Sequence, residues 1–103
     1  MATSPAPYFE ERAEPRDEVL YRTRIVLADR RVASGVVVNV SPHGLMIRSE
    51  AVIAAGEWIK VQLPVAGEVH AAVRWALGGR LGCECERAVP PCDYPAMLAA
   101  MRA

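Results

Sequence analysis

From residue 19 onward, apolar and polar side chains alternate with a period of two, in short runs separated by turn residues. Residues 19–27 place Val19, Tyr21, Thr23, Ile25 and Leu27 on one face, with Arg22 and Arg24 on the other. Such alternation marks a half-buried strand. Asp29, Arg30 and Arg31 form a polar turn, and residues 32–40 read as a second strand. Ser41-Pro42-His43-Gly44 carries proline and glycine at the second and fourth positions of a turn, which leads into a third strand over 45–50. Residues 57–63 set Ile59, Val61 and Leu63 against Lys60 and Gln62. Residues 68–76 set Val69, Ala71, Val73 and Trp75 against His70 and Arg74. Gly78-Gly79 is a hairpin signal, and residues 80–87 alternate Leu81, Cys83 and Cys85 with Glu84 and Glu86. The thirteen valines reinforce the strand reading. Pro90-Pro91 then breaks the chain before a terminal helix over 94–102, capped by Asp93, with Met97, Leu98 and Met101 as its apolar stripe. Six short strands at this spacing predict an all-β domain, a small antiparallel barrel or a sandwich.

Residues 1–18 differ in kind. They hold Pro5, Pro7 and Pro15 and five acids but few aliphatic side chains, so they read as a flexible N-terminal arm before a domain spanning 19–103. At 103 residues, with 52% hydrophobic and 23% charged side chains, the chain is globular in composition and fits one domain. Twelve basic residues balance twelve acidic ones, and the balance is local as well: residues 1–31 hold six of each sign. A general nucleic-acid or anionic-membrane surface needs a basic surplus, so neither is expected as a partner. Lys60 is the only lysine, which leaves the planar arginine fork to recognise any anion. No apolar run approaches the roughly 20 residues of a membrane span, so no membrane insertion is expected. Residues 1–9 lack the charged and apolar succession of an export signal, and Cys83, Cys85 and Cys92 make an odd set; a reducing, cytoplasmic setting is expected.

Two motifs carry chemistry. Arg12-Ala13-Glu14-Pro15-Arg16 holds two arginines four apart, and Pro15 opposes a helix there, so both guanidinium groups can converge on one ligand from an extended arm. Asn39-Val40-Ser41-Pro42-His43-Gly44 puts Asn39 and Ser41 on one face of a strand end, with Gly44 at the turn. An Arg-x-x-x-Arg arm followed 23 residues later by Asn-x-Ser-x-x-Gly resembles the PilZ domain family. The runs Gly44-Leu45-Met46-Ile47, Gly56-Glu57-Trp58-Ile59-Lys60-Val61, Ala72-Val73-Arg74-Trp75 and Leu81-Gly82-Cys83 extend the likeness over about 10–103. Asn39 stands where aspartate is commoner, and Cys85 where an aromatic is common.

The resemblance implies a six-stranded antiparallel β-barrel with a C-terminal α-helix that binds cyclic di-GMP. It assigns the ligand to Arg12, Arg16, Asn39, Ser41 and Gly44; by position, His43 in the adjoining turn and Arg22 on the polar face of the first strand are secondary candidates, Arg22 being expected first to meet solvent or acids. The chemistry agrees. Arginine forks onto guanine O6 and N7 or meets a phosphate, Asn39 accepts from a guanine N–H, and Ser41 donates or accepts. Glu10, Glu11, Glu14, Asp17 and Glu18 crowd the arginines, weakening attraction for a dianion and offering partners to Arg12 and Arg16 in the free protein. Trp58 and Trp75 read as core or rim aromatics, one of them placed to stack on a base. Cys83-x-Cys85 with Cys92, His43 and His70 lacks a C-x-x-C pair, so buried thiols are expected and no metal. No catalytic set is visible. The expected protein is a non-enzymatic cyclic di-GMP receptor without a cofactor, monomeric or dimerising with ligand. It would relay the messenger to an unidentified effector protein in motility, exopolysaccharide synthesis or biofilm formation. The competing reading is a PilZ-fold protein-interaction module that ignores the nucleotide.

Overall fold

The computed structural model describes residues 14–103. Alternation resolves into β1 (Asp17–Val26), β2 (Val32–Ser41), β3 (Gly44–Arg48), β4 (Trp58–Leu63), β5 (Gly67–Leu77) and β6 (Arg80–Cys85), followed by α1 (Tyr94–Met101). The strands close into a barrel in the order β1-β2-β3-β6-β5-β4, each neighbour antiparallel. The architecture is therefore the six-stranded barrel with one C-terminal helix, not the sandwich. Closure rests on a short seam, Ile25 against Val61 and Val26 against Lys60. The expected arm lies largely outside the described residues, as does Arg12, and β1 already begins at Asp17.

The inward faces of all six strands meet in one core. Ile25, Val37, Val40, Ile47 and Val61 are fully buried, with Ile59, Leu45, Val73 and Leu81 around them. Cys83 and Cys85 belong to this core, whereas Cys92 is exposed. Among the described residues no group of His, Cys, Asp and Glu could hold a metal ion. Gly35 faces inward: a Cβ there would lie 2.6 Å from Ile25 Cδ1 and 2.9 Å from Ile47 Cγ2.

Two bulges decide which side chains reach the outer wall. On β2, Val37 and Val40 are three residues apart, yet both enter the core, because the register against β3 shifts between Val37 and Asn39. The shift turns Asn39 away from the core, where it is half-buried. On β5, the register against β6 shifts between Val73 and Trp75. Trp75 was expected on the inward face beside Val73. It stands instead on the outer wall opposite Gly82, with its indole lying where a Cβ on that glycine would be.

Strand ends also differ from the pattern. β3 stops at Arg48 because the Ser49 amide donates to the Gly79 carbonyl (2.9 Å) and its hydroxyl to Ser34 O (2.8 Å). β6 stops at Cys85, since Glu86 N then donates to His70 O (2.8 Å) and Val89 N to Pro42 O (2.9 Å). Gly78 and Gly79 have φ of 62° and 78°, the left-handed pair that a two-residue hairpin requires. Helix α1 buries Met97 and Met101, with Leu98 half-buried beside them. Asp93 occupies the N-cap position, but its side chain makes no capping bond: its φ and ψ of −98° and −22° are helical rather than extended.

Candidate ligand-binding site

The chain just before β1 runs past the β2–β3 turn, and this crossing brings the two sequence motifs together. Arg16 Nη1 donates to Asn39 Oδ1 at 3.1 Å. Asn39 is further fixed by its Nδ2, 3.6 Å from Met46 Sδ on β3, its direct cross-strand partner. Ser41 pairs with Gly44 across the turn and is buried. A Cβ on Gly44 would come to 3.3 Å from both Ser41 Oγ and Cys83 O, so the glycine keeps room for the serine hydroxyl. The turn itself is held from behind: Cys85 N donates to His43 O (2.7 Å) and Val89 N to Pro42 O. Its carbonyls are therefore occupied on the barrel side.

The front of the turn is occupied by Glu14. The carboxylate accepts from the His43 amide at 3.2 Å and lies 2.7 Å from His43 Nδ1. A carboxylate only accepts, so Nδ1 must carry a proton. Burial pushes the Glu14 carboxyl up, but hydrogen bonds from the His43 ring, the Ser41 hydroxyl and the His43 amide together hold it below the ordinary carboxylate value. Of the acids expected to offer partners to the arm's arginines, Glu14 grips the Ser41–His43 turn and Asp17 accepts from the helix, while Glu10, Glu11 and Arg12 lie outside the described residues.

Helix α1 sets where β1 begins. The Tyr94 hydroxyl donates to Asp17 Oδ2 (2.7 Å), with Val40 O at 3.2 Å, and Arg102 Nε donates to Glu18 O (3.0 Å). Burial, then the Asp17 carboxylate, pushes the Tyr94 hydroxyl well above the ordinary tyrosine range. Arg16, immediately before Asp17, is thus carried to Asn39 by a strand start clamped from the C-terminus.

Of the sequence-derived candidates, Arg16, Asn39, Ser41, His43 and Gly44 converge on one side of the barrel, and Arg12 lies outside the described residues. Arg22 sits apart on β1, opposite Val36, with no side-chain hydrogen bond among the described residues. Two features escaped the residue pattern. Glu14 occupies the turn, and Trp75 extends the outward row Asn39–Met46–Gly82–Trp75 across β2, β3, β6 and β5. The glycine beneath the indole was the available signal for Trp75. Trp58 lies farther round the wall, its ring 4.7 Å from that of His70.

The PilZ domain family model matches residues 10–96. This chain belongs to the PilZ domain family. The matched segment spans both motifs and all six strands, and the barrel and helix above are the fold it implies. PilZ domains form a receptor family for cyclic di-GMP and are receptor or adaptor modules rather than enzymes. No curated protein matches the chain significantly. Among the described residues no helix is long and apolar enough to cross a membrane.

Proposed function

We propose that this PilZ domain binds cyclic di-GMP through Arg12, Arg16, Asn39, Ser41 and Gly44 and relays the messenger to a protein partner. The observation that carries the reading is the Arg16–Asn39 hydrogen bond, which joins two motifs 23 residues apart on one outer surface. In this reading Arg16 turns its fork from Asn39 to a guanine edge or a phosphate. Asn39 then accepts from a guanine N–H, and Ser41 and the His43 amide receive a phosphate oxygen in place of the Glu14 carboxylate. Trp75 supplies a flat wall against which a base stacks. Ligand entry displaces Glu14, so the segment before β1 changes its contacts when the nucleotide arrives, which gives a partner something to read. Motility, exopolysaccharide synthesis or biofilm formation in a bacterial cytoplasm is the setting we propose for that partner, with the domain acting as a monomer or ligand-induced dimer.

Calorimetric titration with cyclic di-GMP tests this directly. Wild type is expected to bind saturably. Arg16→Ala is expected to lose about ten- to a hundredfold in affinity, roughly 1–3 kcal/mol for a charge-assisted contact, with an unchanged unfolding midpoint. Arg16→Lys is expected to recover only part of it, because a point charge does not reproduce the fork. Arg30→Ala, in the exposed turn after β1, is the control. An Arg30→Ala loss as large as that of Arg16→Ala would mean diffuse attraction, and no saturable binding by wild type would leave a partner module that ignores the nucleotide.

A further inference from the structure

Arg22, Arg48 and Arg80 lie in one line across the outer wall: Arg22 pairs with Val36, Val36 with Arg48, Arg48 with Arg80, and Arg80 with Leu77. Arg24, two residues along β1 on the same face, pairs with Ser34. None of the four makes an ion pair or side-chain hydrogen bond among the described residues, although acids elsewhere do pair: Asp29 with Arg31 and Glu84 with Arg74. Arg48 and Arg80 are direct cross-strand partners, an arrangement in which like charges repel and destabilise a sheet. Between Arg22 and Arg48 a shallow groove of about 670 Å³ runs over Ser34, Gly35 and Val36, with Glu50 as the one acid at its rim. Leu77, at the end of the row, is 79% exposed.

We propose that this row is the docking surface for an acidic segment of the partner protein. The inference rests on the adaptor reading above and names its partner's chemistry. No acid among the described residues lies within ion-pair distance of these arginines, and an aspartate- or glutamate-rich segment presents several carboxylates to the row at once. Val36 and Leu77 offer aliphatic contact between and beside the charges, while the row holds no aromatic ring on which a nucleobase would stack. Arginine is enriched at protein interfaces and among the residues that carry most of their binding energy. A barrel wall has no free strand edge there, so recognition falls to side chains rather than to strand addition. The row also adjoins the Asn39–Met46–Gly82–Trp75 row, so nucleotide and partner would meet the same sheet side by side.

The test uses the full chain labelled with ¹⁵N, titrated at low ionic strength with an oligoglutamate peptide, with an oligothymidylate of equal charge, and separately with cyclic di-GMP. The peptide is expected to shift the amides of Arg22, Val36, Arg48 and Arg80 and to leave those of Arg30 and Arg87 in place. Arg80→Glu gives Arg48 a cross-strand acid inside the fold. It is expected to weaken peptide binding at least tenfold, with an unchanged or raised unfolding midpoint and unchanged cyclic di-GMP affinity. Peptide shifts spread equally over Arg30, Arg74 and Arg87, tighter binding of the oligothymidylate, or a parallel loss of cyclic di-GMP affinity in Arg80→Glu would each overturn the proposal. Peptide mapping to the row in a chain that ignores cyclic di-GMP would uphold the surface while removing the nucleotide reading.

Discussion

Glu14 lies between Arg12 and Arg16 in sequence, yet delivers its carboxylate to the amide and ring of His43. A negative group held by a backbone N–H, an imidazole and a hydroxyl is the arrangement a phosphate oxygen would also choose, so in the proposed binding mode Glu14 is an internal competitor for the ligand. Glu14→Gln keeps the shape and removes the charge, and is expected to raise cyclic di-GMP affinity severalfold by calorimetry; a weaker complex would show that the carboxylate positions the arm for binding instead. The clasp is also sensitive to pH, in a direction set by its geometry. Docking lowers the Glu14 carboxyl below its ordinary value, so the clasp is complete above that value and is lost as pH falls through the lowered one. The His43 amide resonance is expected to move with a midpoint below the ordinary carboxylate range, and Glu14→Gln is expected to abolish that step. Arg31 with Asp29 is a contrasting case: both are exposed, and the pair affects only its own turn.

At the scale of elements, two glycines set what the strands can present. Gly35 lets β2 pass close over Ile25 and Ile47, both fully buried, so Gly35→Ala forces one of them off its rotamer. A loss on the order of 1–3 kcal/mol is expected, read as a lower thermal midpoint, with cyclic di-GMP affinity restored at temperatures where the variant is folded. Gly82 acts outside the core. Its missing side chain is the space the Trp75 indole fills, so Gly82→Ala displaces the ring from the outer wall. That variant is expected to keep the barrel, shift its tryptophan emission and bind cyclic di-GMP several times more weakly. Unchanged emission and affinity would mean that the indole finds the same place by another route. The bulge at Arg74 makes this test meaningful, because without it Trp75 would sit in the core beside Val73.

For the molecule as a whole, the helix at the end of the chain holds the strand at the beginning. Tyr94 and Arg102 bond Asp17 and Glu18 across 77 and 84 residues of sequence. Tyr94→Phe removes a hydrogen bond to a carboxylate, expected to cost on the order of 1–2 kcal/mol by denaturant unfolding and, by loosening the start of β1, to weaken cyclic di-GMP binding a few fold. The Tyr94 hydroxyl is raised in the folded state, so its contribution is intact below the ordinary tyrosine value near pH 10 and fades as pH rises beyond it. The highest step in an alkaline absorbance titration is therefore expected to vanish in Tyr94→Phe. The sequence by itself determined the six strands, their turns and the helix, because period-two alternation and turn chemistry are local properties of the chain. It also marked Arg16, Asn39, Ser41 and Gly44, since their spacing is written in the order of residues. Tertiary structure alone decided the rest. Barrel closure, the bulges that send Asn39 and Trp75 outward, the grip of Glu14 on His43 and the clamp of Tyr94 on Asp17 all depend on register between strands. Register is fixed by how side chains from distant segments fill one core, and no window of neighbouring residues contains that information.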